Sequence, residues 1–339
     1  MNSSITRLLL SLPILACCSM PVRAASFSSQ AAGTTGSDFL NLGVGARPLG
    51  MGGAYTAIAE GAEAAYWNPA GLAQVQKMAG TFMRANYVED ITYNYFSYAY
   101  RLNQTTVLAA SAMMTDIGDI KRTDTDGKWN NDYFSPKDAA YYLSYCYSVV
   151  DLSDKDHDVA IGVSGKYISS KIVNSATAYG LDIGVMTFHF AKIPYRLGFT
   201  VQNLGKGTKY DQDTDPMPLN IKTGGAVSLT DHLLLALDAN FPKSADPYAT
   251  VGAEVEMFSD KNMGVAMRGG YNTQQARIQD GMAGLAFGAG IAFGTFRFDY
   301  SFGNMGELGN VHRFSINFDL PTWKPVFKRA DRTIFASPD

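Results

Sequence analysis

The chain has 339 residues, a formal net charge of −3 and 17% charged residues, whereas an ordinary soluble domain has about 25%. This balance supplies no basic field for nucleic acid, so no nucleic-acid partner is expected. Tyr and Phe number 19 each and Gly numbers 33, a composition that fits a β-barrel in lipid or a large soluble β protein.

The N-terminal 24 residues have the pattern of a secretory signal peptide. A short basic lead precedes an apolar run over 8–20, and Val22 and Ala24 supply the small residues that predict cleavage after Ala24. The apolar run is too short to span a bilayer as a helix, which needs about 20 residues. The alternative is a lipobox at 14–17, which would leave a lipidated Cys17 at the N-terminus.

From 78 to 320 the chain divides into alternating segments of about ten residues separated by turn residues, a pattern typical of transmembrane β-barrels. An even number of strands places both ends of the barrel on the periplasmic side. The fourteen predicted strands are 78–88, 91–102, 105–117, 137–150, 157–171, 177–188, 195–205, 219–230, 233–242, 248–258, 262–273, 283–293, 295–303 and 310–320.

Charged residues inside these segments indicate which face points into the lumen. Arg or Lys facing lipid near the bilayer midplane costs about 2–4 kcal/mol. We expect Glu254 and Glu256 to pair with Arg268 or Arg297. From the fifth segment onward the mid-segment charges fall on the less apolar face, and the predicted lumen charges are Lys166, Asp182, Arg196, Lys222, Asp238, Glu254, Glu256, Arg268, Arg297, Asp299 and Arg313.

A soluble β-sandwich is the alternative fold, because its strands also alternate. Two observations favour the barrel. The less apolar face of the twelfth segment, at 286, 288, 290 and 292, is Ala and Gly rather than the Lys, Glu and Thr of a solvated surface. The connections after the third, seventh and eleventh segments are long, as expected of extracellular loops, and those after the eighth, tenth and twelfth are very short, as expected of periplasmic turns.

Two motifs that flank the predicted barrel resemble a known family. The first combines Gly45-Ala-Arg-Pro-Leu-Gly-Met-Gly-Gly-Ala54 with Trp67-Asn-Pro-Ala-Gly-Leu72, and the second is Glu307-Leu-Gly-Asn-Val-His-Arg-Phe-Ser-Ile-Asn-Phe318. They are similar to the PorV/PorQ family, which is related to the FadL-type long-chain fatty-acid transporters. The resemblance covers about 38–320 and implies a fourteen-stranded barrel in the outer membrane, with an N-terminal hatch folded into its lumen.

The predicted fold class is therefore an all-β, transmembrane antiparallel barrel of about fourteen strands with an N-terminal lumenal hatch, located in the cell outer membrane. The tail carries four basic residues, and either serves a partner or is disordered. The predicted parts are a signal peptide over 1–24, a hatch or plug over 25–77, the outer-membrane barrel over 78–320 and a periplasmic tail over 321–339.

Seven hatch residues are candidates for a role in transport. The glycines permit close approach and positive φ, and an Asn before Pro is held in extended or turn geometry and can hydrogen-bond locally. We expect the Trp to act as a wedge. The alternative is that these residues fold the plug and touch no substrate. The candidates are Gly50, Gly52, Gly53, Trp67, Asn68, Pro69 and Ala70.

The sequence offers no recognisable chemistry for catalysis. After cleavage Cys146 is the only cysteine, which excludes an internal disulfide and a cysteine-based metal site. No two histidines have the i, i+4 spacing of a helical zinc site, and no Gly-Lys-Ser/Thr follows the glycine-rich block at 45–54, so it is not a phosphate loop. We predict that the protein is not an enzyme and holds no cofactor and no metal.

The resemblance implies two functions, and the residues leave a third open. The first is hatch-gated passage or binding of small hydrophobic compounds. The second is a component of the type IX protein secretion machinery, with secretion-system proteins as partners. The third is a structural barrel that transports nothing. Outer-membrane lipid is a partner in all three, and the moderate, polar loops at 124–132 and 211–215 favour the first.

Overall fold

The structure is a computed structural model of the full chain, and it describes residues 27–28, 31–87, 91–150, 157–172, 174–189, 194–209, 214–259, 263–278 and 281–320. The predicted signal peptide over 1–24 and the predicted tail over 321–339 lie outside the described residues. Among those described residues, no helix is both long and apolar enough to cross a membrane.

Fourteen antiparallel strands form a closed barrel, which confirms the predicted fold class and excludes a β-sandwich. Each strand pairs with its neighbours in the chain, and β1 closes the barrel on β14, with Met78 opposite Leu320. Every strand begins and ends within two residues of its predicted bounds. The strands are β1 Met78–Asn86, β2 Thr92–Arg101, β3 Thr106–Asp116, β4 Lys137–Val150, β5 His157–Lys171, β6 Ser175–His189, β7 Tyr195–Lys206, β8 Asn220–Thr230, β9 Leu233–Pro242, β10 Tyr248–Ser259, β11 Met263–Asn272, β12 Leu285–Phe293, β13 Phe296–Asn304 and β14 Asn310–Leu320.

The outer surface of the barrel is apolar because successive side chains of a strand point to opposite faces. In β12 the side chains of Phe287, Ile291 and Phe293 are 54%, 50% and 66% exposed, whereas Gly288 and Gly290 between them are buried. The neighbouring strand repeats the pattern with exposed Phe at 296 and 298. Such a surface requires lipid rather than water around it.

The two ends of the barrel differ. At the end where β1 begins and β14 ends, which we call the turn end, β8 and β9 are joined by residues 231–232 and β12 and β13 by residues 294–295. The opposite end, the loop end, carries the connections after β3, β7 and β11. Their described parts include a hairpin of Ile120–Thr123 with Trp129–Phe134 and a short helix, Thr273–Ile278.

The segment before β1 runs through the lumen from the loop end to the turn end. Gly36 N donates to Pro216 O of the loop after β7 at 3.0 Å, and Arg101 at the turn end donates to Ala73 O at 2.5 Å. Between these points the segment is mostly buried. It contains α1 Ala46–Gly50, α2 Ala64–Trp67, and the 3₁₀ helices Asp38–Asn41 and Pro69–Gln74. We call residues 38–76 the hatch.

Candidate functional site

The backbone of the hatch packs directly against glycines of the barrel wall. A Cβ on Gly50 would stand 3.1 Å from the Cα of Gly288 in β12, and a Cβ on Gly52 would stand 2.6 Å from Tyr271 N in β11. Glycine inside a strand often marks such a close backbone approach. A wall residue with a side chain would therefore push the hatch away.

Three further wall glycines complete this contact on the opposite side of the lumen. A Cβ on Gly162 of β5, Gly184 of β6 or Gly198 of β7 would overlap Pro69, Asn68 and Thr56 of the hatch, respectively. Sequence reasoning missed these wall glycines. Their signal was available, since each occupies a lumen-facing position in the interior of a strand where glycine is otherwise unfavourable.

The predicted hatch glycines meet two different requirements. Gly52 and Gly53 adopt positive φ angles of 67° and 86°, which side chains rarely tolerate. Gly50 lies in α1 with an ordinary φ, and its need for glycine is the approach to Gly288. All three glycines thus have a defined role in folding the segment.

Asn68 is fully buried and holds three backbone groups in place. Its Oδ1 accepts from Ala70 N at 3.1 Å, and its Nδ2 donates to Thr56 O at 2.9 Å and to Val185 O of β6 at 3.2 Å. The side chain therefore caps the 3₁₀ turn at Pro69 and ties it both to another part of the hatch and to the wall.

Trp67 is the aromatic centre of the hatch. Its Nε1 donates to Val44 O at 2.8 Å, and its ring packs edge-on against Tyr55 and Tyr66, with centroids 5.9 and 5.3 Å away. On the wall side, the Nζ of Lys222 lies 5.0 Å from the Trp67 ring centroid. The predicted wedge residue thus contacts a predicted lumen charge.

Charged residues of the hatch and wall form one buried network. Arg47 of α1 pairs with Glu254 of β10 and, at 2.6 Å, with Glu60. Arg268 of β11 pairs with Glu254 and, at 2.7 Å, with Asp299 of β13. Burial makes an unpaired charge costly, so each of these charges depends on the others. Arg47 lies in the resemblance motif, but sequence reasoning did not select it as a site residue.

The expected pairing of Glu256 is not found. Glu254 stands opposite Arg268 in the register of β10 and β11, whereas Glu256 stands opposite Ala266. Both carboxylate oxygens of Glu256 are buried without a hydrogen-bond partner in the described part of the chain. Glu256 lies two residues further along β10 than Glu254, so it stays on the lumen face. It is, however, displaced along the strand from the position opposite Arg268.

The remaining predicted lumen charges are distributed around the wall. Lys166 pairs with Asp182 of β6 at 2.8 Å, and Asp238 accepts from the backbone N–H groups of Tyr55 and Thr56 at 2.9 and 2.8 Å. Arg196 is partly exposed. The other ten predicted lumen charges are buried: Lys166, Asp182, Lys222, Asp238, Glu254, Glu256, Arg268, Arg297, Asp299 and Arg313.

A cavity of about 300 Å³ lies on the loop side of the hatch, and we call it the loop-end cavity. Its lining includes Gly52, Gly53 and Trp67, but not the other four predicted hatch residues. Loop residues such as Ser244 and Gln275 form its rim. Most of its lining side chains are polar or charged, with several Asn and Gln among them.

Asp38 also lines the loop-end cavity, at the point where the hatch enters the barrel. Burial raises the pKa of its carboxyl group, while a hydrogen bond from Thr35 Oγ1 at 2.6 Å acts in the opposite direction. The described residues contain no group of three or more His, Cys, Asp or Glu that could hold a metal ion.

The fold defines a transmembrane β-barrel whose N-terminal segment packs inside the lumen, and solved structures share the barrel fold. The toluene transporter TbuX of Ralstonia pickettii superimposes with a TM-score of 0.52 at 10% identity, covering 82% of this chain and 98% of the transporter. The CymD monoaromatic hydrocarbon channel gives 0.53 at 11% identity, covering 82% and 98%. At such identities the likeness shows the fold alone.

The chain belongs to the PorV family, because the model of the type IX secretion system protein PorV matches residues 25–247. This finding confirms the family resemblance and implies an outer-membrane location. The matched residues include the first motif, whereas the second motif at 307–318 lies outside them. No curated protein matches the chain. The family and the structural neighbours are described as secretion, transport or channel proteins and not as enzymes.

Proposed function

We propose that this protein is a component of type IX secretion that works as a closed barrel. In this proposal the hatch seals the lumen, and the loop end faces the outside and handles exported proteins. The observation that carries the proposal is the buried ion-pair network of Arg47, Glu254 and Arg268, which joins the hatch to the middle of the wall strand β10. The family description supports the secretion role.

The character of the loop-end cavity also supports a closed barrel. Sites for small apolar molecules are lined predominantly by hydrophobic and aromatic side chains. This cavity has a mixed lining, in which aromatic side chains such as Trp67 stand beside amides and charges such as Asn220, Asn240 and Lys222, and the hatch forms its floor. A hydrocarbon would have to leave lipid or water for a polar chamber and then displace a charged plug.

Hatch-gated passage of small hydrophobic compounds is the second candidate. The fold shared with the toluene transporter TbuX and the CymD channel favours it. The two functions make different demands on the hatch. Passage requires the hatch to move, whereas protein handling at the loop end requires it to stay.

A covalent lock of the hatch distinguishes the two candidates. The Sγ of Cys146 in β4 donates to Ala70 O at 3.4 Å, so residue 70 is the hatch position chosen for a second thiol, in the variant Ala70→Cys. Formation of the disulfide is checked by mass spectrometry after oxidation, and a reduced sample serves as the control. The alternative lock is Ala62→Cys with Ser97→Cys, since Ser97 Oγ donates to Ala62 O at 2.8 Å.

The test is made in the organism that produces this protein. The gene for the protein is deleted, and the strain is then complemented with either the wild-type or the locked form. We expect the deletion to leave type IX substrates in the periplasm, and both the wild-type and the locked protein to restore their export. Normal export in the deletion strain, together with a loss of hydrophobic-compound uptake that the locked protein fails to restore, would overturn the proposal in favour of the second candidate.

A further inference from the structure

Two buried cations that line the loop-end cavity lack a carboxylate partner. Among the described residues, neither Lys222 nor Arg313 has a carboxylate oxygen within 4.0 Å, although their side chains are only 7% and 5% exposed. The other buried lumen cations all have such a partner; they are Arg47, Lys166, Arg268 and Arg297. The unpaired cations are thus confined to the cavity.

Lys222 approaches the cavity from β8. Its Nζ lies 5.0 Å from the ring centroid of Trp67, a favourable cation–π contact, and the carboxylates of Asp238 and Asp182 attract it from beyond ion-pair distance. The carboxylate of Asp238 on the adjacent strand accepts instead from the backbone N–H groups of Tyr55 and Thr56. Both of these bonds go to Oδ2 of Asp238, and no ion pair joins Asp238 to Lys222 in the described residues.

Arg313 faces the cavity from β14, across the lumen from β8. Its Nε donates to the hydroxyl of Tyr93 at 3.3 Å, a neutral acceptor that does not balance its charge. Burying an ionised group without a counter-charge costs free energy. Asp38 also lines the chamber, and burial raises the pKa of its carboxyl group. The two cations outnumber this one carboxyl group, so the chamber favours an anion.

Polar side chains without partners stand beside Lys222. In the sheet register Lys222 lies opposite Asn240 of β9, and Asn240 lies opposite Tyr248 of β10, so the three residues form one row across three strands. The Nδ2 of Asn240 and the Oγ1 of Thr250 are buried and have no hydrogen-bond partner in the described residues. Both residues line the cavity, and each has only 2% of its surface exposed.

We propose that the loop-end cavity binds a small hydroxyl-rich anion, namely a sugar acid or a sugar phosphate. Its oxyanion pairs with Lys222 while its hydroxyls bond to Asn240 and Thr250, and Arg313 supplies the second positive charge. The volume of about 300 Å³ is at the lower end of the range of ligand pockets, about 300–1000 Å³, so the chamber admits a small molecule. The proposal goes beyond the secretion role and does not depend on it.

The test is a binding titration by calorimetry on the full-length protein in nanodiscs. The probes are glucuronate and glucose 6-phosphate as the two anionic forms, glucose as the neutral sugar, and octanoate as a carboxylate with an apolar tail. We expect at least one anionic sugar to bind, with an affinity that falls as salt is added. We expect glucose and octanoate to bind at least about tenfold more weakly than that sugar. Which of the two anions binds identifies the oxyanion.

Asn240→Asp is the decisive variant because it is nearly isosteric and supplies Lys222 with the missing carboxylate. We expect it to weaken binding of the anionic sugar by about tenfold or more. Asn130→Asp, in the exposed hairpin of the loop end, adds the same charge away from the cavity and should bind as the wild type does. Lys222→Met provides a second variant that removes the cation itself.

Three results would overturn the proposal. The first is no binding of either anionic sugar, and the second is equal binding of octanoate, which would indicate an apolar ligand. The third is unchanged binding by either Asn240→Asp or Lys222→Met, which would place the anion elsewhere. The control for folding is the melting temperature. A value for Asn240→Asp that matches the value for Asn130→Asp shows that the Asn240→Asp barrel is folded.

Discussion

Arg47 of the hatch and Glu254 of β10 form a two-point ion pair deep in the lumen. The Nε and Nη2 of Arg47 lie 2.7 and 2.8 Å from the two carboxylate oxygens of Glu254. The residues are 207 positions apart in the chain, and both are nearly inaccessible to solvent. Such bidentate pairs fix orientation as well as charge, so this contact sets the position of α1 against the wall.

The costs of removing the two partners of this pair should not be additive. Arg47→Met leaves Glu254 and Glu60 with less counter-charge, and we expect a loss of about 3–5 kcal/mol in the free energy of unfolding. The double variant Arg47→Met with Glu254→Gln should lose less than the sum of the single variants, as measured by urea unfolding in lipid vesicles. Strict additivity would show that the two side chains are not coupled.

The wall glycines predict a difference between two substitutions in neighbouring strands. A Cβ on Gly198 would stand 2.9 Å from the Cα of Ala57 in the hatch, so Gly198→Ala should lower stability by about 1–3 kcal/mol through overpacking. Gly225→Ala is the control, because its nearest neighbour is the Leu197 side chain at 3.7 Å. Equal melting temperatures for the two variants would contradict the close packing of hatch and wall.

The two faces of β12 should respond differently to arginine. Ala289 is exposed on the lipid side at the middle of the strand, where arginine costs about 2–4 kcal/mol. Ala286 faces the loop-end cavity, so Ala286→Arg can extend into a polar space. Gly288 also faces the lumen, but it is unsuitable for this comparison because a side chain there would contact Gly50 of the hatch. We expect much less folded barrel in the outer-membrane fraction for Ala289→Arg than for Ala286→Arg, and similar amounts would mean that the faces are wrongly assigned.

Asn68→Ala should destabilise the hatch. The substitution leaves the carbonyls of Thr56 and Val185 and the N–H of Ala70 without their partner, and each unsatisfied buried group costs about 1–3 kcal/mol. A neutral carboxyl in Asn68→Asp retains the acceptor for Ala70 N and one O–H donor for a carbonyl, so this variant should fall between the wild type and Ala. Hydrogen exchange of the hatch amides measures the effect, and unchanged protection in Asn68→Ala would show that these bonds do not hold the segment.

Deleting residues 38–76 should open the barrel. Side chains of the wall fill the interior only near eight strands, and this barrel has fourteen. We expect a clear rise in single-channel conductance in a planar bilayer relative to the wild type. A closed channel after the deletion, in a protein that still runs as a folded barrel on unheated gels, would mean that loops or wall side chains seal the lumen.

The sequence by itself determined the strands. Alternation with a period of two is a local property, and a charge facing lipid is penalised wherever it occurs, so the pattern located both the bounds of β12 and the lumen side of Arg268 without reference to any partner. The number of strands followed from the same pattern, and two short motifs were enough to indicate the family.

Only the tertiary structure decided how the hatch and the wall meet. The pairing of Arg47 with Glu254, the fit of Gly198 against Thr56 and the isolation of Glu256 depend on which rows of the barrel face which part of the hatch. That alignment is set by register, by closure of the sheet and by the path of an irregular segment. None of these leaves a periodic trace in the sequence, because the contacts join residues far apart in the chain whose spacing obeys no repeat.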